Sequence, residues 1–178
     1  MKKLFITFLL IIATAASANA GNMKGNYLEL KLNGVVDAAA GYLGNDLGGV
    51  GGMLSFGSNY RSARWLYFRT ELEFSYESVS NKFVEFSPFG LLINFYADFG
   101  LKEWLVRPFI GAGFGGKYIA ASIPDSDSAG MALDVQAGAI YQISDDWAAT
   151  AAFRYDTMTG LDYDIRTYAI TAGIQWRF

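Results

Sequence analysis

The chain has no cysteine and no histidine among its 178 residues, and only 3 prolines. Without cysteine there is no disulfide framework and no thiol for an N-terminal lipid anchor, so the fold must rest on hydrogen bonding and packing. Without histidine a serine nucleophile lacks its usual general base, which argues against the familiar forms of hydrolysis and acyl transfer. Basic residues are in the minority, 14 against 17 acidic. No basic stripe marks a nucleic-acid surface, so no nucleic-acid partner is expected.

Long apolar runs are scarce as well. The one candidate, Leu4 to Ala13, follows Lys2 and Lys3 and leads through small residues to Ala18-Asn19-Ala20 before Gly21. That is the layout of a cleavable secretory signal over residues 1–20. It is too short for a membrane-spanning helix, which needs about 20 apolar residues. The expected mature domain is 21–178, and loss of two lysines with no acid leaves it more acidic.

What the chain does have is alternation. It is 52% hydrophobic and 16% aromatic, and these residues are spread at every second position. In "YLELKLNG" Leu28, Leu30 and Leu32 separate from Tyr27, Glu29, Lys31 and Asn33. In "LYFRTELEFSY" Leu66, Phe68, Thr70, Leu72, Phe74 and Tyr76 separate from Tyr67, Arg69, Glu71, Glu73 and Ser75. A period of two belongs to strands with one apolar and one polar face. The pattern predicts eight strands, at roughly 25–36, 48–58, 65–77, 83–98, 107–119, 131–143, 147–157 and 164–178. Loops at 37–47, 77–82, 120–130 and 158–163 alternate with tight turns such as Ser144-Asp145-Asp146. Pro88 is a candidate bulge that would swap the faces of Val84 to Ser87.

An eight-stranded antiparallel meander is either a soluble lipocalin-like barrel or a membrane barrel, and the two differ in which face carries the charge. Strand length and the division into four loops and tight turns favour the membrane form. Trp65, Trp104, Trp147 and Trp176 all fall at the turn end of the meander, as an interfacial girdle should. The expected fold is therefore all-β, an eight-stranded antiparallel up-and-down transmembrane β-barrel. Its lipid face would include Leu28, Leu30, Leu32, Leu66, Phe68, Leu72, Leu91, Ile93, Phe95, Val135, Phe153, Ile170, Ile174 and Trp176. Its lumen would hold a charge network of Glu29, Lys31, Arg69, Glu71, Glu73, Asp98, Asp134, Arg154 and Asp156. Eight strands leave an interior just wide enough for side chains to fill. Charges shut inside must pair, because a lone desolvated ion costs several kcal/mol.

Two motifs invite other chemistry. Gly111, Gly113 and Gly116 in "GAGFGG" have dinucleotide-fingerprint spacing, but "KYIAASIPDS" offers no helix to meet a pyrophosphate. Glycines in a barrel wall instead make room for neighbouring side chains. Asp125, Asp127 and Gly130 fit positions 1, 3 and 6 of a calcium loop, but Ala129 and Gln136 stand where further ligands belong. Neither motif supports a cofactor or metal, so no catalytic, cofactor-binding or metal-binding residues are expected.

The last residues, "TAGIQWRF", keep the alternation to the end. Thr171, Gly173, Trp176 and Phe178 resemble the C-terminal signal of bacterial outer-membrane barrels, which the barrel-assembly machinery recognises by strand pairing. "LLINFYADFGLKEWLVRPFIGAGFGGKY", "VQAGAIYQISDDW" and "AAFRYDTM" resemble the corresponding segments of the opacity-protein and surface-antigen family of small outer-membrane barrels. The carrying positions are Asn94, Tyr96, Asp98, Pro108, Phe109, Gly111 and Gly113. The resemblance implies a non-enzymatic barrel in the bacterial outer membrane, acting as a surface antigen with an adhesin role through its loops. Loops this short depart from the long variable loops of the adhesive members. The implied partners are outer-membrane lipids including lipopolysaccharide, the barrel-assembly machinery, and a host-cell or envelope component at the loops. Two other readings are a small or gated ion-conducting pore and a periplasmic lipocalin-like binder.

Overall fold

The computed structural model describes residues 25–40, 48–80, 85–101, 104–121, 128–159 and 165–178. Eight strands follow in order: β1 (Asn26–Ala40), β2 (Gly48–Ala63), β3 (Leu66–Ser80), β4 (Glu85–Phe99), β5 (Val106–Ala121), β6 (Ser128–Gln142), β7 (Trp147–Thr159) and β8 (Ile165–Arg177). Each pairs antiparallel with its chain neighbour, and β1 pairs with β8, so the sheet closes into a barrel. The expected signal segment lies outside the described residues, as do Asp125 and Asp127 of the calcium-like loop.

Alternation sorts the side chains as a closed sheet requires. Leu30 and Leu32 are 61% and 67% exposed on the outer wall, whereas Glu73 and Arg154 are 0% and 1% exposed inside. Every residue named for the lipid face has the outward parity of its strand. Leu66, Phe68, Leu72, Leu91 and Ile93 are half-covered there by neighbouring outer side chains. Hydrocarbon outside and ions inside reverse the arrangement of a soluble barrel, and suit a wall standing in lipid.

All eight predicted strands are present, but most run further toward the loop end than the side-chain pattern suggests. Ala38–Ala40, Ser78–Ser80, Ala120–Ala121, Ser128–Gly130 and Met158–Thr159 all belong to strands. Hydrophobic alternation fades there while the backbone ladder continues, because main-chain hydrogen bonds need no particular side chain.

Pro88 is not a bulge. The β3–β4 register is the same on both sides of it, from Tyr76↔Phe89 to Val79↔Phe86, and Pro88 itself points inward. Its missing N–H interrupts the ladder without inserting a residue. The faces of Phe86 and Ser87 are therefore not swapped; Val84 lies outside the described residues. Register shifts occur instead at Val35/Asp37 in β1 and at Arg61/Ala63 in β2. The first has a physical reason: with one extra residue, Val35 and Ala38 both turn inward and Asp37 stays exposed. Strict alternation would drive the Asp37 carboxylate into an apolar cluster.

The turn end is built from short connections. Arg64 and Trp65 link β2 to β3. Gly100, with φ of 145°, opens the β4–β5 turn, and its N–H donates to the Trp65 carbonyl at 2.9 Å. At the Ser144-Asp145-Asp146 turn the Trp147 N–H donates to Ser144 Oγ at 3.1 Å. Trp65, Trp104, Trp147 and Trp176 are all exposed at this end. Trp147 and Trp176 face each other across β7 and β8 with ring centroids 6.4 Å apart.

The wall orientation and depth can be checked together. Leu72→Arg places a cation on the outer wall midway along β3 and is expected to destabilise the folded barrel by about 2–4 kcal/mol. Ser80→Arg, on the same face but at the strand's outer end, should cost roughly 0–1 kcal/mol. Denaturant titration of barrels refolded in lipid vesicles measures both, and equal losses would mean that β3 does not span the hydrocarbon as described.

The candidate functional site in the barrel lumen

The lumen is layered. At the loop end Val35, Ala38, Val79, Phe86, Ile119 and Met158 form a buried apolar cluster, with Ile165 packed against it. At the turn end Tyr96, Phe109, Ile140, Ala148 and Ala152 form a second one. Charged side chains fill the space between. Tyr96 and Phe109 meet edge to face at 5.5 Å, and the Arg69 guanidinium lies over both rings, 4.1 Å and 4.9 Å from their centroids.

β3 supplies the spine of the ionic layer. Its inward positions carry Arg69, Glu71, Glu73 and Glu77, all buried. Arg69 Nε sits 2.8 Å from Asp98 Oδ2, and Arg69 Nη1 donates to Glu71 Oε1 at 2.9 Å. Glu71 Oε2 accepts from Lys31 Nζ at 2.7 Å and from the Tyr96 hydroxyl at 3.1 Å, while Tyr27 donates to Glu71 Oε1 at 2.6 Å. Lys31 continues to Glu73 at 3.2 Å, and Arg154 reaches Glu73 from the opposite wall at 2.6 Å. Arg154 also lies 3.2 Å from Asp134 and 3.3 Å from Asp156. Lys117 pairs with Asp156 at 2.7 Å and stands 3.8 Å from Glu77.

The nine residues named from sequence for this network are all buried in the lumen. Eight of them join one chain of contacts running Asp98, Arg69, Glu71, Lys31, Glu73, Arg154 and then Asp134 and Asp156. Glu29 stands at its margin, 3.9 Å from Lys31, and accepts a hydrogen bond from the Thr150 hydroxyl. Sequence reading missed Glu77 and Lys117, and gave no role in the network to Tyr27 and Tyr96. The signal existed: Glu77 continues the parity of Arg69, Glu71 and Glu73, and Lys117 that of Phe109 and Gly113.

Glycines make this packing possible at two of the three fingerprint positions. A Cβ on Gly111 would collide with the Tyr96 ring, and one on Gly113 with the Asn94 and Asp134 side-chain oxygens. Gly116 faces outward and has only the Gly130 carbonyl nearby, at 3.9 Å. Gln136, at the last position of the calcium-like spacing, is buried in the lumen and donates to Asp134 Oδ2 at 2.5 Å. Among the described residues no group of three metal-ligating side chains converges.

A cavity of about 10 Å³ beside Glu29, Lys31, Arg69 and Thr150 has room for about one water. Glu29 Oε2 and Arg69 Nη2 are a buried acceptor and a buried donor without a hydrogen-bond partner in the protein, and one water there would serve both. The carboxylates Glu29, Glu71, Glu73, Glu77, Asp98, Asp134 and Asp156 share the lumen with Lys31, Arg69, Lys117 and Arg154. Anionic groups thus outnumber cationic ones among the buried described residues.

The four residues of the closing strand also have defined places. Thr171 and Gly173 face the lumen, and a Cβ on Gly173 would press on Glu29 and Thr150. Trp176 and Phe178 face outward with centroids 5.1 Å apart. The Phe178 N–H donates to the Asn26 carbonyl at 3.0 Å, carrying the seam between β8 and β1 to the end of both strands.

Arg154 is the residue on which the upper ionic layer turns, since among the described residues it alone contacts Glu73, Asp134 and Asp156 together. Arg154→Met keeps much of its volume but removes the cation from Glu73, Asp134 and Asp156. A loss of about 3–5 kcal/mol is expected from denaturant titration in lipid. Combining it with Glu73→Gln should recover part of that loss, and strict additivity would mean the two side chains are not coupled.

A family model described as outer membrane protein beta-barrel domain matches residues 5–178. Among solved structures the fold is similar to Neisserial surface protein A, with a TM-score of 0.72 at 19% identity over 86% of this chain and 97% of that one. It is also similar to the outer membrane enzyme PagL, with a TM-score of 0.60 at 13% identity over 82% and 97%. The attachment invasion locus protein Ail of Yersinia pestis gives 0.56 at 15% identity over 88% and 100%. No curated protein matches the chain in sequence. The family match over nearly the whole chain and the closed eight-stranded wall lead to one conclusion: the chain belongs to the outer-membrane protein β-barrel family, and its place is the outer membrane.

Proposed function

We propose that this barrel is a non-enzymatic surface antigen that reinforces the envelope and offers a modest adhesive surface through its loops. The observation that carries this reading is the filled lumen, in which an ionic layer is shut between two apolar clusters. A conducting barrel needs a continuous wet path, and an apolar cluster at each end of the ionic layer opposes one. With its interior spent on packing, the barrel has the loop surface left for recognition.

The likeness to Neisserial surface protein A and to Ail supports a surface role, since one is named for its place on the cell surface and the other for attachment and invasion. The likeness to PagL is one of fold at 13% identity. This chain has no histidine to accept a proton from a serine hydroxyl. Lipopolysaccharide and other outer-membrane lipids are the natural contacts of the outer wall. Thr171, Gly173, Trp176 and Phe178 are proposed as the signal read by the barrel-assembly machinery, because the first three lie on the strand that completes the ring and Phe178 directly follows it.

Three measurements test these readings. Planar-bilayer recording of the refolded barrel should show no steady conductance; an ion-selective current altered by Arg69→Ala or Glu71→Ala would establish a pore instead. Antibodies raised against the loops should label intact cells. For the assembly signal, deletion of Phe178 is expected to slow insertion by the assembly machinery more than it weakens barrels already formed. Insertion at the wild-type rate would remove that role from Phe178.

A further inference from the structure

Asn94 of β4, Gly113 of β5 and Asp134 of β6 are direct neighbours in register across three adjacent strands. All three face the lumen. Because Gly113 has no side chain, the groups on either side lean over it, and a Cβ there would collide with both Asn94 Oδ1 and Asp134 Oδ1. Both oxygens are buried, and neither has a donor. The opposite ends of the two groups are engaged. Asn94 Nδ2 donates to Glu73 Oε2 at 3.2 Å, and Asp134 Oδ2 accepts from Gln136 Nε2 at 2.5 Å.

The Gly113 Cβ position lies 1.8 Å from one oxygen and 2.1 Å from the other, and two acceptors this close in a dry interior repel each other unless a hydrogen is shared between them. Turning the Asn94 amide over only moves the conflict elsewhere. Its NH₂ would then serve Asp134, but its carbonyl oxygen would face the Glu73 carboxylate. An amide has one donor end, and this one stands between two carboxylates.

We infer that a proton is bound between Asp134 Oδ1 and Asn94 Oδ1, so that in the folded barrel Asp134 is a carboxylic acid donating to the amide carbonyl. The proton comes from solution when the barrel folds, and no other bond is made or broken. A metal ion fits the place less well. Two side-chain oxygens converge rather than three, and the Arg154 guanidinium lies 3.2 Å from the other Asp134 oxygen.

The charges around the site fit a neutral acid. Glu73 on β3 and Asp156 on β7 add negative charge beside Asp134, while Arg154 on β7 divides its contacts among all three. Lys117 on β5 is held by Asp156 at 2.7 Å, and Tyr96 on β4 donates away from the site, to Glu71. Cations in this layer are fewer than carboxylates, so one protonated acid reduces the unpaired charge shut inside the wall.

Infrared spectroscopy of the full barrel refolded in lipid vesicles, with aspartate side-chain carboxyls carbon-13 labelled, tests this directly. At pH 7 the labelled wild type should show the carbonyl stretch of a protonated acid, shifted in D₂O. The band should vanish in Asp134→Asn, which keeps the shape and can offer its own N–H to Asn94, and should survive in Asp156→Asn. Absence of the band in wild type overturns the inference even if no variant folds. So does a band unchanged in Asp134→Asn.

Discussion

In hydrocarbon a backbone N–H or C=O without a partner costs several kcal/mol, so a strand can cross only as part of a closed ring. The pairing of β1 with β8 is what closes this one. Without that seam β1 and β8 would each present a row of unpaired amides to lipid. Closure also sets the size of the interior, because an eight-stranded ring encloses little more than its own inward side chains. The chain must therefore fill the lumen with groups that satisfy one another.

That filling explains the distribution of residue types along the strands. β3 carries a cation and three carboxylates on its inner face, and β7 answers from across the lumen with Arg154. β5 contributes little bulk between Phe109 and Lys117, having glycine at 111, 113 and 115, all with inward parity. The space is taken from the sides: Tyr96 and Asn94 lean in from β4, and Asp134 leans in from β6. The glycine-rich stretch is thus complementary to its charged and aromatic neighbours. A nucleotide-binding reading of the same glycines fails because β5 continues as strand through all of them.

Much of this was legible in the sequence, for a simple reason. A wall one residue thick between oil and a polar core writes its orientation into every second position, so strand number, face and the nine lumenal charges could be read from parity. Parity does not carry depth or partner. It could not say that Arg154 would reach Glu73, or that Glu29 would stand at the margin of the network with a weak contact to Lys31. Strand ends were harder still, because the alternation stops at Val35-Val36-Asp37 while the pairing goes on past a bulge to Ala40. Pro88 misled for the opposite reason. A missing N–H leaves a gap in a ladder, but a ladder held on both sides keeps its register across that gap.

The two apolar clusters account for the remaining asymmetry. Ion pairs desolvated in an open tube would compete with water entering from either mouth, and their attraction would weaken accordingly. Val35, Val79, Phe86, Ile119 and Met158 exclude water at the loop end, and Phe109, Ile140 and Ala148 do so at the turn end. The bulge that turns Asp37 outward keeps the first of these clusters free of charge. In the proposed plugged barrel, the same apolar layers that strengthen the ion pairs also oppose a permeant ion. On the proposed reading, this leaves the loop end as the surface for recognition.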